Sequence, residues 1–174
     1  MDFGAITSAV IAFVRDNQAW APFVVAALAF GESIAFLSLV VPATVILVGV
    51  GALVGSAGLE FWPVWLGAAA GAITGDSLSY LIGRRFKYAA FRVWPLSRHP
   101  EMVTRGERFF HRFGPWAVFI GRFFGPARAV IPLIAGIFVM PLVLFQAVNV
   151  SSAFVWSFVL LAPGAGLATY FGWS

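Results

Sequence analysis

Four ionisable side chains lie inside stretches that are otherwise free of charge. Residues 19–59 hold only Glu32, residues 61–83 only Asp76, and residues 113–174 only Arg122 and Arg128. Placing an arginine or a carboxylate at the centre of a bilayer costs at least ~2.5–3.5 kcal/mol, so such groups face the protein interior and have a partner or a task. Two guanidiniums in a dry cavity ask for an anion, and their planar, forked donors fit phosphate well. Glu32 and Asp76 then have two readings. They neutralise the arginines as structural ion pairs, or they serve as switching partners or proton sites for whatever anion the arginines hold. Bond-making chemistry is disfavoured, because a phosphatase needs a nucleophile with a base beside it. Both histidines, His99 and His111, fall instead in a strongly basic segment, and there is no cysteine to supply a thiolate. No metal and no cofactor is expected.

The charges sit in what reads as an internal repeat. Gly31-Glu32-Ser33-Ile34-Ala35-Phe36-Leu37-Ser38-Leu39-Val40-Val41-Pro42 aligns without gaps on Gly121-Arg122-Phe123-Phe124-Gly125-Pro126-Ala127-Arg128-Ala129-Val130-Ile131-Pro132. Each has a glycine, then a charge, then a proline ten residues after the charge. Each half runs on to a second proline, Pro63 or Pro141, and another apolar span. Proline within an apolar run removes a helix hydrogen bond. In lipid, broken backbone is tolerated only inside protein or beside water. The spacing therefore predicts non-helical backbone at Pro42 and Pro132, with a further hinge at Gly125 and Pro126. Two such broken segments in corresponding halves point to a transporter's central site. The plainer alternative is two kinked spans with incidental charges. A pseudo-twofold axis in the membrane plane would bring Glu32 and Arg122 together, and the irregular Gly125-Pro126 would let Arg128 turn to the same cavity.

The elements that must position these groups are membrane helices. The chain has 174 residues, 61% hydrophobic and 10% charged, against roughly 25% charged for a soluble domain. A span needs about 20 apolar residues, which leaves room for four to six passes or partial passes in one membrane domain. The expected division is repeat 1 at about 19–83, a basic loop at 84–112 and repeat 2 at about 113–174. The first fifteen residues do not resemble a cleaved signal, since Asp2, Gly4, Thr7 and Ser8 interrupt the pattern; a short surface helix is expected there.

The loop carries eight of the chain's 11 Lys and Arg. Such a loop between spans is expected on the cytoplasmic side, and nucleic-acid binding is improbable for so short a segment. Pro100 suits the first position of a helix. From there Met102, Val103, Phe109, Phe110 and Phe113 share one face, while Arg105, Arg108, His111 and Arg112 lie off it, as in an interfacial helix. Gly67, Gly71 and Gly75 form a small-residue ridge for close helix packing. Asp76 follows, with Tyr80 and Arg84 at successive turns, as either an anion or proton path or a structural hydrogen-bond ladder.

These residues resemble the DedA family of membrane proteins, also called the SNARE-associated or VTT-domain family. The specific segment is Glu107 to Pro141, ERFFHRFGPWAVFIGRFFGPARAVIPLIAGIFVMP, with Asn149 and Trp156 matching a following pattern. Gly75-Asp76, Tyr80 and Gly83-Arg84-Arg85 resemble a second signature, and Glu32 with Pro42 a third. The resemblance implies an all-α fold of inverted repeats with two re-entrant hairpins facing each other, located in the bacterial inner (plasma) membrane. It also implies lipid translocation: flipping of undecaprenyl phosphate or phospholipids in bacterial members, scrambling in eukaryotic relatives. By residue it names Glu32, Arg122 and Arg128, with Asp76 beside them. Two departures stand out. Many members follow the first proline with glycine and an acidic residue assigned to proton coupling, where this chain has Ala43 and Thr44. The run Ala162-Pro163-Gly164-Ala165-Gly166 replaces the family's usual Gly-Tyr ending.

The expected function is a transporter or flippase of a phosphate-bearing lipid, with protons as candidate coupling ion; an energy-independent scramblase is the alternative. A lipid phosphatase or a non-transporting scaffold ranks behind both. Membrane lipids with anionic head groups are the expected partners. Which lipid is carried, which side the termini face and whether copies form a homo-oligomer are not encoded legibly.

Overall fold

A computed structural model describes residues 3–34, 43–87, 89, 100–124 and 127–166. Among them the chain is helical throughout, with no strand: α1 (Phe3–Asp16), a 3-10 turn (Gln18–Trp20), α2 (Ala21–Ser33), α3 (Ala43–Ala57), α4 (Phe61–Phe86), α5 (Pro100–Phe113), α6 (Trp116–Gly121), α7 (Ala127–Ile137) and α8 (Leu142–Leu161). The expected surface helix at the start is α1, which packs on α3 and buries Val14.

α4 is the longest element, 26 residues, or about 39 Å at 1.5 Å per residue. Its two ends orient everything else. α2 starts at the Glu60 end, with Pro22 in its first turn, and runs parallel to α4. The glycine ridge does what its spacing predicts: Gly67, Gly71 and Gly75 lie against the backbone of Pro22, Ala26 and Phe30 in turn. A Cβ at Gly71 would run into the Ala26 carbonyl oxygen, so only glycine permits this approach. α2 stops after 13 residues, about 20 Å, when Ile34 turns extended. That leaves Glu32 and Ser33 beside the middle of α4. α3 ends at the Glu60 end again, where Gly51 and Gly55 pack on Leu161 and Gly164 near the close of α8.

The second group of helices mirrors this from the other end. α5 starts at Pro100, as expected, and seats buried Gly106 against Ile134 of α7. α6 begins near Met140 and Phe145, in an apolar cluster with Tyr80, Ala117 and Val118. α7 starts level with the tip of α2 and runs parallel to α4 toward Arg84; Gly83 meets the backbone of Leu133 and Ile137, and Gly136 that of Tyr80 and Arg84. α8 then runs antiparallel to α4. Phe145 stacks on Tyr80 with ring centres 4.3 Å apart, and Trp65 Nε1 donates to the Phe154 carbonyl oxygen at 3.1 Å. One large apolar cluster therefore fills the Glu60 end and a second the Arg84 end. The four buried charges lie between them.

One expectation is corrected. Pro132 does not break the backbone: it is the sixth residue of the 11-residue helix α7. Its ring removes only the amide that would have bonded the Arg128 carbonyl, close to the helix start where few intrahelical bonds yet exist. The irregular backbone lies upstream, in the turn at 122–124. Pro42, Gly125 and Pro126 lie outside the described residues.

Candidate functional site

Each of the four charges is brought to the middle of the bundle by a helix end or a helix interior, and all four are at most 9% exposed. Glu32 comes from the last turn of α2, Asp76 from the middle of α4, Arg122 from the residue capping the C-terminus of α6, and Arg128 from the first turn of α7. They form two separate ion pairs. Arg128 Nη1 donates to Glu32 Oε1 at 2.8 Å, and Arg122 Nη2 donates to Asp76 Oδ2.

This corrects the expected juxtaposition of Glu32 with Arg122. α6 packs on α7 and α8, so a side chain leaving its C-terminus reaches the α4–α8 seam, where Asp76 stands. α7 touches both α4 and α2, so its first turn delivers Arg128 to the tip of α2 instead.

Each pair has its own surroundings. Around Arg128, Thr44 Oγ1 donates a second hydrogen bond to Glu32 Oε1, and Arg128 Nη2 reaches Ser33 Oγ at 3.4 Å. The Arg128 guanidinium carbon lies 4.3 Å from the centre of the Trp156 ring, a cation–π contact that covers one face of the plane. Around Arg122, Asn149 Oδ1 accepts a further bond from Nη2 at 2.5 Å. The Asn149 amide donates in turn to the Ile73 carbonyl oxygen at 3.2 Å. Asn149 and Trp156 thus each serve one arginine from the same face of α8.

The hydrogen-bonding capacity is not filled. Among the described residues, Glu32 Oε2 and the Nε and Nη1 of Arg122 are buried with no partner. Unpaired charged donors are costly in a low-dielectric interior. Among the described residues, the three N–H bonds of Arg122 Nε and Nη1 have no acceptor.

The remaining expected residues fall into place unevenly. Tyr80 and Arg84 are joined, Arg84 Nη1 donating to Tyr80 Oη at 3.0 Å, while Tyr80 donates onward to the Met140 carbonyl oxygen. Among the described residues no hydrogen bond joins this rung to Asp76; the rung ties α4 to the α7–α8 turn. Sequence reasoning missed Ser33, Ser77 and Gln146. Ser77 follows Asp76 directly and Gln146 lies three residues before Asn149, one helical turn, so their spacing carried the signal. Among the described residues, no group of His, Cys, Asp and Glu could hold a metal ion.

A helical bundle with two ion pairs sealed in its middle, and with one helix, Leu142–Leu161, long and apolar enough to cross a bilayer by itself, has the construction of an integral membrane protein. The comparisons make this specific. The VTT domain family matches residues 41–166, and the chain belongs to that family, the DedA membrane proteins. It is 32% identical over 152 residues to the inner membrane protein YabI of Escherichia coli, a match covering 87% of this chain and 60% of that protein. It is 37% identical over 127 residues to the uncharacterized membrane protein Rv2637 of Mycobacterium tuberculosis, covering 70% of this chain and 58% of that protein. An uncharacterized membrane protein of Buchnera aphidicola, BU139, is 28% identical over 152 residues, 87% of this chain and 59% of that one. The chain spans about three fifths of the length of these relatives. No solved structure matches it. The protein is a membrane protein of the bacterial inner membrane.

Proposed function

We propose that this protein moves a phosphate-bearing lipid between the leaflets of the bilayer, with Arg122 and Arg128 on the phosphate and Glu32 and Asp76 as the carboxylates it displaces. The observation that carries the proposal is the state of Arg122. It is 4% exposed, holds Asp76 and Asn149 through one nitrogen, and leaves the other two without a partner among the described residues. A purely structural pair would be expected to fill those donors. Undecaprenyl phosphate and phospholipids are the lipid classes that the family resemblance suggests.

The arrangement of helices supports an inverted pair of re-entrant hairpins. α2 and α7, 13 and 11 residues long, are each too short to cross a hydrocarbon layer of about 30 Å. The α2–α3 unit opens at the Glu60 end, the α6–α7 unit at the Arg84 end, and their tips meet at the charges. Movement of this kind makes and breaks no covalent bond in the lipid, so the proposed protein is not an enzyme.

A second reading keeps the same site but dispenses with an energy source. Thr44 donates a neutral hydrogen bond to Glu32 at the position where many relatives by resemblance carry an acid, which favours an energy-independent scramblase. Purified protein in vesicles, assayed for transbilayer movement of a labelled phosphate-bearing lipid, tests both. Arg122→Lys keeps the charge but loses the planar donors. It should slow movement roughly 10- to 150-fold, the loss expected for about 1.5–3 kcal/mol of charge-assisted hydrogen bonding. A wild-type rate in this variant would overturn the phosphate site. Dependence of the wild-type rate on an imposed proton gradient separates flippase from scramblase.

A further inference from the structure

The seam between α4 and α8 changes character halfway along. Toward the Glu60 end it is aromatic and closed. Trp65 stacks on Phe61 with ring centres 6.2 Å apart and leans on Phe154 at 5.1 Å, and Phe158 meets Phe61 edge-on at 5.8 Å. Midway along, level with the ion pairs, the seam is polar, and beyond that Phe145 stacked on Tyr80 closes it again toward the Arg84 end. Gln146 Nε2 donates to Ser77 Oγ at 2.8 Å, and Asn149 Nδ2 reaches Gln146 Oε1 at 3.4 Å and Ser77 Oγ at 3.5 Å. Asn149 holds Arg122 at 2.5 Å. A continuous line of neutral donors and acceptors thus runs inward from Gln146, in the second turn of α8, to the guanidinium whose Nε and Nη1 have no partner among the described residues.

Burial along this line is graded. Gln146 and Ser77 are half-buried, whereas Asn149 and Arg122 are buried. Neither amide nor hydroxyl has a reason to line a lipid-facing seam other than to bond its neighbours or to bond something that passes. Neutral polar groups are what a phosphate monoester or diester needs on its way to an arginine: they replace its water and add no charge that would trap it.

We propose that Gln146, Ser77 and Asn149 form a hydrated polar window midway along the seam, through which the lipid's phosphate head group reaches Arg122 sideways from the bilayer, the aromatic contacts on either side closing the seam lengthwise. This rests on the phosphate reading of Arg122 and adds to it the route and its lateral entry.

The chain contains no cysteine, so single cysteines can be read without background. Leu78 is the internal reference: it follows Ser77 directly on α4 but points about 100° further round the helix, and it is 39% exposed. In lipid nanodiscs, Ser77→Cys and Gln146→Cys should react with a charged, water-soluble thiol reagent about tenfold faster than Leu78→Cys at similar depth, because only the seam admits water. Doping the discs with phosphatidic acid should slow modification of Ser77→Cys and leave a neutral-lipid control unchanged. Equal or slower reaction of the two seam cysteines relative to Leu78→Cys would overturn the polar window. Fast reaction without protection by phosphatidic acid would overturn its use by the phosphate. A third arm separates a route from mere helix glue: Gln146→Leu should slow lipid movement about tenfold with its thermal midpoint unchanged. A wild-type rate in that variant, or a loss of rate matched by loss of stability, overturns the route. Failure of the phosphate reading itself shows differently, as a wild-type protein that moves no phosphate-bearing lipid at all.

Discussion

Glu32 and Arg128 stand 96 positions apart in the chain and 2.8 Å apart in space, where they join the tip of α2 to the first turn of α7. Both ion pairs join the two halves of the molecule, this one at the tip of α2 and Arg122 with Asp76 at the middle of α4. Removing one partner of the Glu32–Arg128 pair leaves the other charge buried and alone. Arg128→Ala or Glu32→Ala should each destabilise by about 3–5 kcal/mol, and the apolar double variant Glu32→Leu/Arg128→Met should recover most of it. Thermal unfolding in detergent measures this, and lipid movement measured alongside should stay absent in the recovered double. A stable double variant that moves lipid at the wild-type rate would refute a phosphate role for Arg128.

The close approach of α2 to α4 depends on glycine. Gly71→Ala must push α2 away from the Ala26 carbonyl, and Gly136→Ala must push α7 away from the Tyr80 carbonyl. Each should cost about 1–3 kcal/mol as overpacking. Gly58→Ala, at a position with open space but φ 70°, should cost only about 1 kcal/mol for its backbone conformation. Melting points of the three variants give the order; equal midpoints would contradict the packing described.

Thr44 donates to the carboxylate oxygen that also accepts from Arg128. Thr44→Asp places a second carboxyl group within hydrogen-bond reach of Glu32, and two carboxylates that close share a proton. The variant's lipid movement should become more sensitive to pH and to an imposed proton gradient than the wild type's. Identical pH profiles for the two proteins would count against a proton-handling role for this position.

Thr104 is exposed on α5, among Arg105, Arg108 and Arg112. The basic segment should face the cytoplasm. Thr104→Cys should then resist an impermeant thiol reagent in intact cells and react once the membrane is opened. Labelling in intact cells would reverse the sidedness assigned to the whole bundle.

The helical class, the start of α5 at Pro100 and the glycine ridge on α4 were legible because each has a local cause. Proline at a first helical turn and small residues every fourth position act through their immediate neighbours. The four site charges were legible too, since a charge in an apolar run is costly wherever it ends up. Their pairing was not. Whether Glu32 meets Arg122 or Arg128 depends on where α6 and α7 seat against α8 and α2, a matter of tertiary packing that a twofold alignment of sequence cannot fix. Pro132 misled for a related reason: it costs α7 a hydrogen bond, but the packing of α7 against α4 holds the helix through it, so the residue type signals a break that the fold does not make. Gln146 and Ser77 carry no charge and attracted no notice until the α4–α8 seam set them side by side.

Glu32 belongs to the last turn of α2 and Arg128 to the first turn of α7. A helix carries a partial negative charge at its C-terminus and a partial positive charge at its N-terminus. Each of these side chains therefore sits at the pole of its own helix that bears the same sign, an arrangement that costs about 0.3–1 kcal/mol per charge at an exposed site and more in a dry one. While the pair is closed, each charge compensates the other's pole as well as the other charge. Separate them, and both helices are left electrostatically frustrated at once. An anion that takes the place of Glu32 on Arg128 also answers the positive pole of α7, whereas Glu32, released, has no such answer at the end of α2. The two helix axes thus bias the site toward accepting negative charge on the α7 side, independently of the arginine's own donors.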